Sequence, residues 1–214
     1  MAPIRQDTSS GLAVPLTAFA NYLTAGASDK IDCVKEQIRM FDQPYRPGAA
    51  FYHDFKEAVV QGREHGADHL AMQRVVVSQH DPARHRHYDD LARHWLAMRK
   101  LHLRLIPYGQ ALWQTPRLGV RIRPDFAVVD PKGKLFVIKL WLKDRPLAKD
   151  AAHAMQRLLT LHMAEICPGA TPLVVDVRQE KIHRETRRAP KHGFDEWMEI
   201  EAGSMADMWI RFAA

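Results

Sequence analysis

Apolar positions recur along this chain first with a helical period and later with a period of two. Over residues 50–63, Phe51, Phe55, Ala58 and Val59 share one face at i, i+4, i+7 and i+8, and His65-Gly66 ends the pattern. A short helix over 68–78 follows. Asp81-Pro82 then opens a longer one, because an Asp cap accepts from free N–H groups of the first turn while Pro fills a position that needs none. Tyr88, Leu91, Trp95, Met98 and Leu101 carry its stripe to about residue 100. Residues 1–48 are weakly patterned and interrupted by Pro3, Pro15, Pro44 and Pro47; they predict an arm with one helix around 29–41.

From residue 101 the period changes. Leu101, Leu103 and Leu105 alternate with His102 and Arg104, and a loop holding Pro107, Gly109 and Pro116 leads to a second extended run over 118–129. Asp130-Pro131-Lys132-Gly133 predicts a hairpin turn, since Pro presets φ and Gly takes a left-handed position without strain. The return strand is 134–143. Pro146 begins a helix with Ala152, Met155, Leu159, Met163 and Ile166 on its buried stripe, ended by Pro168-Gly169; 171–183 reads as a last strand. The tail over 195–212 is acidic, aromatic and helical, with Trp197, Ile200, Met208 and Trp209 available to close the core.

A hairpin followed by a helical crossover into another strand defines an α/β fold, with a mixed central sheet, flanking helices and an N-terminal helical region. Three segments follow: an N-terminal arm and helical region over 1–80, an α/β core over 81–192, and a helical tail over 193–214 packed on that core.

Composition narrows the class. With 214 residues, 46% hydrophobic, 11 Gly and 13 Pro, the chain is neither disordered, collagen-like nor a coiled coil. Cys33 and Cys167 stand far apart with no neighbours at zinc-ligand spacing, which argues against a disulfide framework and for a reducing, cytoplasmic setting. No run reaches the roughly 18 apolar residues of a membrane span, so no membrane partner is expected. Residues 11–20 with Ala25-Gly26-Ala27 bear only a slight likeness to a secretion signal, broken by Pro15 and Thr17.

The net charge of +6 is unevenly placed. Residues 117–149 hold nine Lys or Arg against three Asp, 178–192 hold six basic against two acidic residues, and 194–214 hold five acidic residues against Arg211. Centring the hairpin on 131–133 sets Asp125 opposite Lys139, Arg123 opposite Trp141 and Arg121 opposite Lys143. Strand alternation sends all six to one side, while Val120, Ile122, Phe126 and Val128 meet Leu142, Leu140, Ile138 and Phe136 on the other, the core face. The charged side then reads as a surface that tracks phosphates through Arg121, Arg123, Lys139 and Lys143, with Trp141 as a platform for a base. The plainer alternative is a solvated face whose charges prevent aggregation.

The run Arg123-Pro124-Asp125-Phe126, the hairpin with Phe136 to Trp141, the helix with Gln156 and the strand from Thr171 together resemble the core of the PD-(D/E)XK nuclease-like superfamily over residues 82–184. The resemblance implies a restriction-endonuclease-like core in which an Asp after Pro and an acid-x-Lys triplet hold Mg²⁺, with the Lys orienting or activating the attacking water. Asp125 matches. The acid position of the triplet falls on Lys139 in one register and on Val137 in the other, where Lys139 becomes the catalytic lysine. Asp176 and Glu180, or Asp90 with His94 one turn on, are the acids available as relocated ligands. The expected function is therefore a degenerate, non-catalytic protein that binds nucleic-acid phosphates without a cofactor through Arg121, Arg123, Lys139, Trp141 and Lys143. The alternatives are a Mg²⁺-dependent nuclease with Asp125 and Lys139 catalytic and metal on Asp125 and Asp176, and a protein-interaction module whose Asp125–Lys139 pair is structural. The run from Ile138 to Lys143 is also similar to one found in uncharacterised bacterial proteins, which implies no activity.

Other constellations carry less. His87, Asp90 and His94 share one helix face at metal-ligand spacing, but Arg84, Arg86 and Arg93 crowd it with positive charge. No nucleophile elbow, phosphate-binding loop or dinucleotide fingerprint is present.

Overall fold

A computed structural model describes residues 11–42, 51–98, 104–184 and 192–213. In chain order the elements are β1 (Ala13–Pro15), α1 (Leu16–Leu23), α2 (Ala27–Asp42), α3 (His53–His65), α4 (Asp68–Val77), α5 (Pro82–Ala97), β2 (Arg104–Ile106), β3 (Ala111–Gln114), β4 (Gly119–Ile122), β5 (Phe126–Val129), β6 (Leu135–Trp141), α6 (Lys149–Leu161), α7 (Met163–Ile166), β7 (Thr171–Asp176), β8 (Lys181–Arg184) and α8 (Phe194–Ala213). The α/β class with flanking helices and N-terminal helices is as the sequence predicts. The alternation of Leu101 and Leu103 lies outside the described residues, as do Pro3, Pro44 and Pro47.

The strands form two sheets: five strands in the order β2-β5-β6-β7-β8, and three in the order β1-β4-β3. In the larger sheet β6 and β7 are parallel and the other neighbours antiparallel, because α6 carries the chain across between them. The turn fixes the register of β5 against β6 as expected, with Phe126 opposite Ile138 and Val128 opposite Phe136. Asp130 Oδ1 accepts from the backbone N–H groups of Lys132 and Lys134 at 2.9 and 2.8 Å, and Gly133 takes φ of 80°. Asp81 caps α5 by accepting from the Ala83 N–H at 2.8 Å.

The single strand expected over 118–129 is instead two. The chain kinks at Arg123-Pro124-Asp125, and β4 pairs with β3 and β1 in the smaller sheet while β5 joins the larger. Proline at 124 has no N–H to give a ladder, so the antiparallel pairing with β6 stops at Phe126. The last predicted strand likewise folds back as the antiparallel pair β7 and β8, with Glu180 at φ 52° in the turn. The crossover helix starts at Lys149, three residues past Pro146, and its predicted length is shared by α6 and α7.

Both faces of the larger sheet are covered. Ile138, Leu140, Leu142, Leu173 and Val175 pack with Phe55, Met72, Tyr88, Leu91 and Trp95 from α3, α4 and α5. Val137, Trp141 and Val174 point the other way, into a core shared with α1, α6 and α8. The N-terminal segment, expected as an arm, contributes to this second core: β1 pairs parallel with β4, and Phe19 and Tyr22 of α1 are fully buried. The tail helix α8 closes it with Met198, Ala202, Met205, Ala206 and Trp209, whereas Ile200, expected to dock, is exposed.

Candidate functional site

The kink between β4 and β5 brings the predicted charged residues together, though not on an open sheet face. Lys139 is buried, and its ammonium donates to the Arg123 carbonyl at 2.8 Å and lies 3.2 Å from each Asp125 oxygen. Asp125 Oδ2 also accepts from the Leu140 N–H at 2.7 Å, and Oδ1 is 2.8 Å from Nζ of Lys56 on α3. One carboxylate thus sits between two lysines and a backbone amide. Burial pushes its pKa up, but Lys139, Lys56 and the Leu140 N–H together hold it below its ordinary value. Burial is also the main influence on Lys139; with repulsion from Lys56 and Arg123 it outweighs the attraction of Asp125 and brings the amine down to about 8.

The expected stacking platform is not at the surface. Trp141 is 2% exposed, its ring lies in the core shared with α6 and α8, and its Nε1–H donates to the Arg145 carbonyl at 2.8 Å. The physical reason is alternation: Val137, Lys139 and Trp141 share a side, and that side faces helices rather than solvent. Lys139 is withdrawn from direct contact for the same reason. Lys143 remains partly exposed, with its ammonium 5.9 Å above the Trp141 ring.

Asp176 does not join Asp125. It is 1% exposed, and its carboxylate accepts from the Leu147 N–H at 2.7 Å and the Gln179 N–H at 3.2 Å, tying the β6–α6 connection to the end of β7. The residues at Asp125 do not fit a divalent cation: both oxygens already take ammonium or amide donors, and the neighbours are lysines. Among the described residues no group of three His, Cys, Asp or Glu side chains could hold a metal ion. Gln156, matched to a polar helix position, is buried at α6 with its Nε2 unpartnered.

Arg121 and Arg123 form the outer part of the site. Arg123 is exposed and Arg121 half-buried, and neither makes an ion pair among the described residues. Burial, and secondarily the neighbouring Arg123, push the Arg121 guanidinium below its ordinary value. Lys56 and Lys139 therefore share the Asp125 carboxylate, while Arg123 adds positive charge beside Lys139 and Arg121 lies next to Arg123. Sequence reasoning missed Lys56, whose only signal is a cation on the exposed side of a helix that the fold turns toward the kink.

The histidine and acid group on α5 is assembled, but around a guanidinium. Arg178 Nη1 pairs with Asp90, and Nη2 lies 2.8 Å from Asp144 and 3.0 Å from His87 Nδ1. His94 contacts Glu180 at 2.9 Å. A cation in the middle of the group disqualifies it as a metal centre. No protein-family model and no curated protein matches this sequence.

Proposed function

We propose that the chain is a non-catalytic α/β protein on a PD-(D/E)XK-like plan that binds nucleic-acid phosphates through the cationic seam between its two sheets. The plan is supported by the order helix, three antiparallel strands, helix, parallel strand, which runs α5, β2, β5, β6, α6, β7 with β3 and β4 inserted after β2. The observation that carries the binding reading is the pair Arg121 and Arg123, two neighbouring guanidiniums at the seam with no acidic partner among the described residues. Phosphate would supply the missing counter-charge, while Asp125 and Lys139 satisfy each other inside. The direct contacts are thus Arg121, Arg123, Lys56 and Lys143, and Lys139 acts behind them.

Fluorescence anisotropy with a labelled oligonucleotide over about 50 to about 300 mM salt tests this. Three or four phosphate contacts give a slope of log K against log salt of roughly −2 to −3. Arg121→Glu with Arg123→Glu should abolish binding, and Lys139→Met should leave it nearly unchanged. Affinity that ignores salt, or that survives the double arginine reversal, overturns the reading. Cleavage that appears with Mg²⁺ and vanishes in Asp125→Asn would replace it with the nuclease alternative.

A further inference from the structure

Two short chain crossings join the sheets, and they lie side by side. One is the kink at 123–125; the other is the loop at 107–110 between β2 and β3. Tyr108 stands on that second crossing, and its hydroxyl donates to the Asp125 carbonyl at 3.0 Å, which places its ring at the same seam as Arg123. Tyr108 as a whole residue is 43% exposed.

This aromatic is held from both ends. The next residue, Gly109, donates its N–H to the Ile166 carbonyl at 2.7 Å, and a Cβ at Gly109 would come within 2.9 Å of the Glu165 carbonyl oxygen. The backbone is therefore pressed against the end of α7 while the phenol is tied to the kink. With its hydroxyl already engaged and its loop fixed, Tyr108 has one feature left to offer, the face of its ring. An exposed aromatic tied to the kink that carries Arg123, a guanidinium with no ion pair among the described residues, is what a sequence-tolerant stacking site needs, because little ordering entropy is lost when a base lands on it.

We infer that Tyr108 stacks an unpaired base and that the nucleic acid taken by this seam is single-stranded, an inference that rests on the phosphate-binding reading above. In a duplex each base already stacks on its neighbours and has no free face to give. Arg121 and Arg123 hold the backbone of the strand on one side, and Tyr108 takes a base on the other.

Three probes of equal length separate the contributions: an oligothymidylate of about twelve nucleotides, an abasic oligomer and a duplex. The oligothymidylate should bind roughly tenfold tighter than the abasic strand. Tyr108→Leu should remove that difference while leaving abasic binding unchanged, and Tyr108→Phe, which keeps the ring, should retain most of it. Thermal melting of both variants checks that they fold. If all three probes bind equally, or if Tyr108→Leu weakens the abasic and base-bearing strands alike, the stacking role falls and phosphate binding stands. If no probe binds, both fall together.

Discussion

Lys139 gives the sharpest test of how the kink is built, because its charge is buried at a measurable cost. Its amine is brought from an ordinary 10.5 to about 8, chiefly by burial and secondarily by Lys56 and Arg123, against the pull of Asp125. Below pH 8 the lysine is protonated in both folded and unfolded chains, and stability does not respond to it. Between pH 8 and 10.5 the folded chain gives up a proton that the unfolded chain still holds, so stability rises with pH. The gap of about 2.5 pH units, at about 1.4 kcal/mol each, is worth on the order of 3 kcal/mol.

Urea denaturation of wild type and Lys139→Met at about pH 7.5, about pH 9 and about pH 10.5 reads this contribution, because titrations remote from the kink cancel in the difference. Wild type should gain on the variant by on the order of 3 kcal/mol across that range. Lys56→Met, which removes a repelling ammonium and leaves Asp125 to Lys139 alone, should move the rise to higher pH. Parallel curves for wild type and Lys139→Met would refute the placement of a charged amine in that interior.

Asp176→Ala should destabilise by about 3 kcal/mol in urea, since the N–H groups of Leu147 and Gln179 lose their acceptor at a site that is 1% exposed. Oligonucleotide affinity should be unmoved, which distinguishes a structural Asp176 from a metal ligand. Gly133→Ala forces a side chain into φ of 80° and should cost about 1 kcal/mol, read as a lowered Tm with unaltered binding. Asp125→Leu should be far worse than Asp125→Asn, by about 3 kcal/mol or more in denaturant, because it leaves two ammoniums facing an apolar group and strands the Leu140 N–H. Equal losses in the two variants would deny the carboxylate its place among those donors.

The hairpin was legible because its turn chemistry is local. Asp130 and Gly133 set the register, and Phe126 meets Ile138 as the spacing predicts. What failed was the extension of that register past Pro124 and the assumption that the charged side faces water. Both failures had signals. Proline cannot serve an interior ladder, and Phe126-Ala-Val-Val with Leu135 to Leu142 are nearly continuous apolar runs, which belong to strands covered on both faces. Lys139 interrupts the second run, yet Val137 and Trp141 on its own side are apolar and belong to a core. Tyr108 left no periodic signal at all; its position beside the kink depends on how two sheets meet, which strand patterning does not encode.

The Asp125–Lys139 pair can be accounted for by the backbone alone. The ladder between β5 and β6 ends at Phe126 and Ile138, because the chain before Phe126 turns away toward the other sheet. Beyond that point the Leu140 N–H and the Arg123 carbonyl are left without the partners a continuing strand would give them, and such groups are costly when buried. Asp125 takes the first with its carboxylate and Lys139 takes the second with its ammonium, and the two then neutralise each other. The side chains stand in for two lost ladder bonds at the place where one strand changes sheet. A structural reason of this kind is sufficient for an acid and a lysine in this register, so their presence alone is no argument for cleavage. It also leaves the two arginines out of the pair: Arg123, exposed, and Arg121, half-buried, stand by the kink with no ion pair among the described residues.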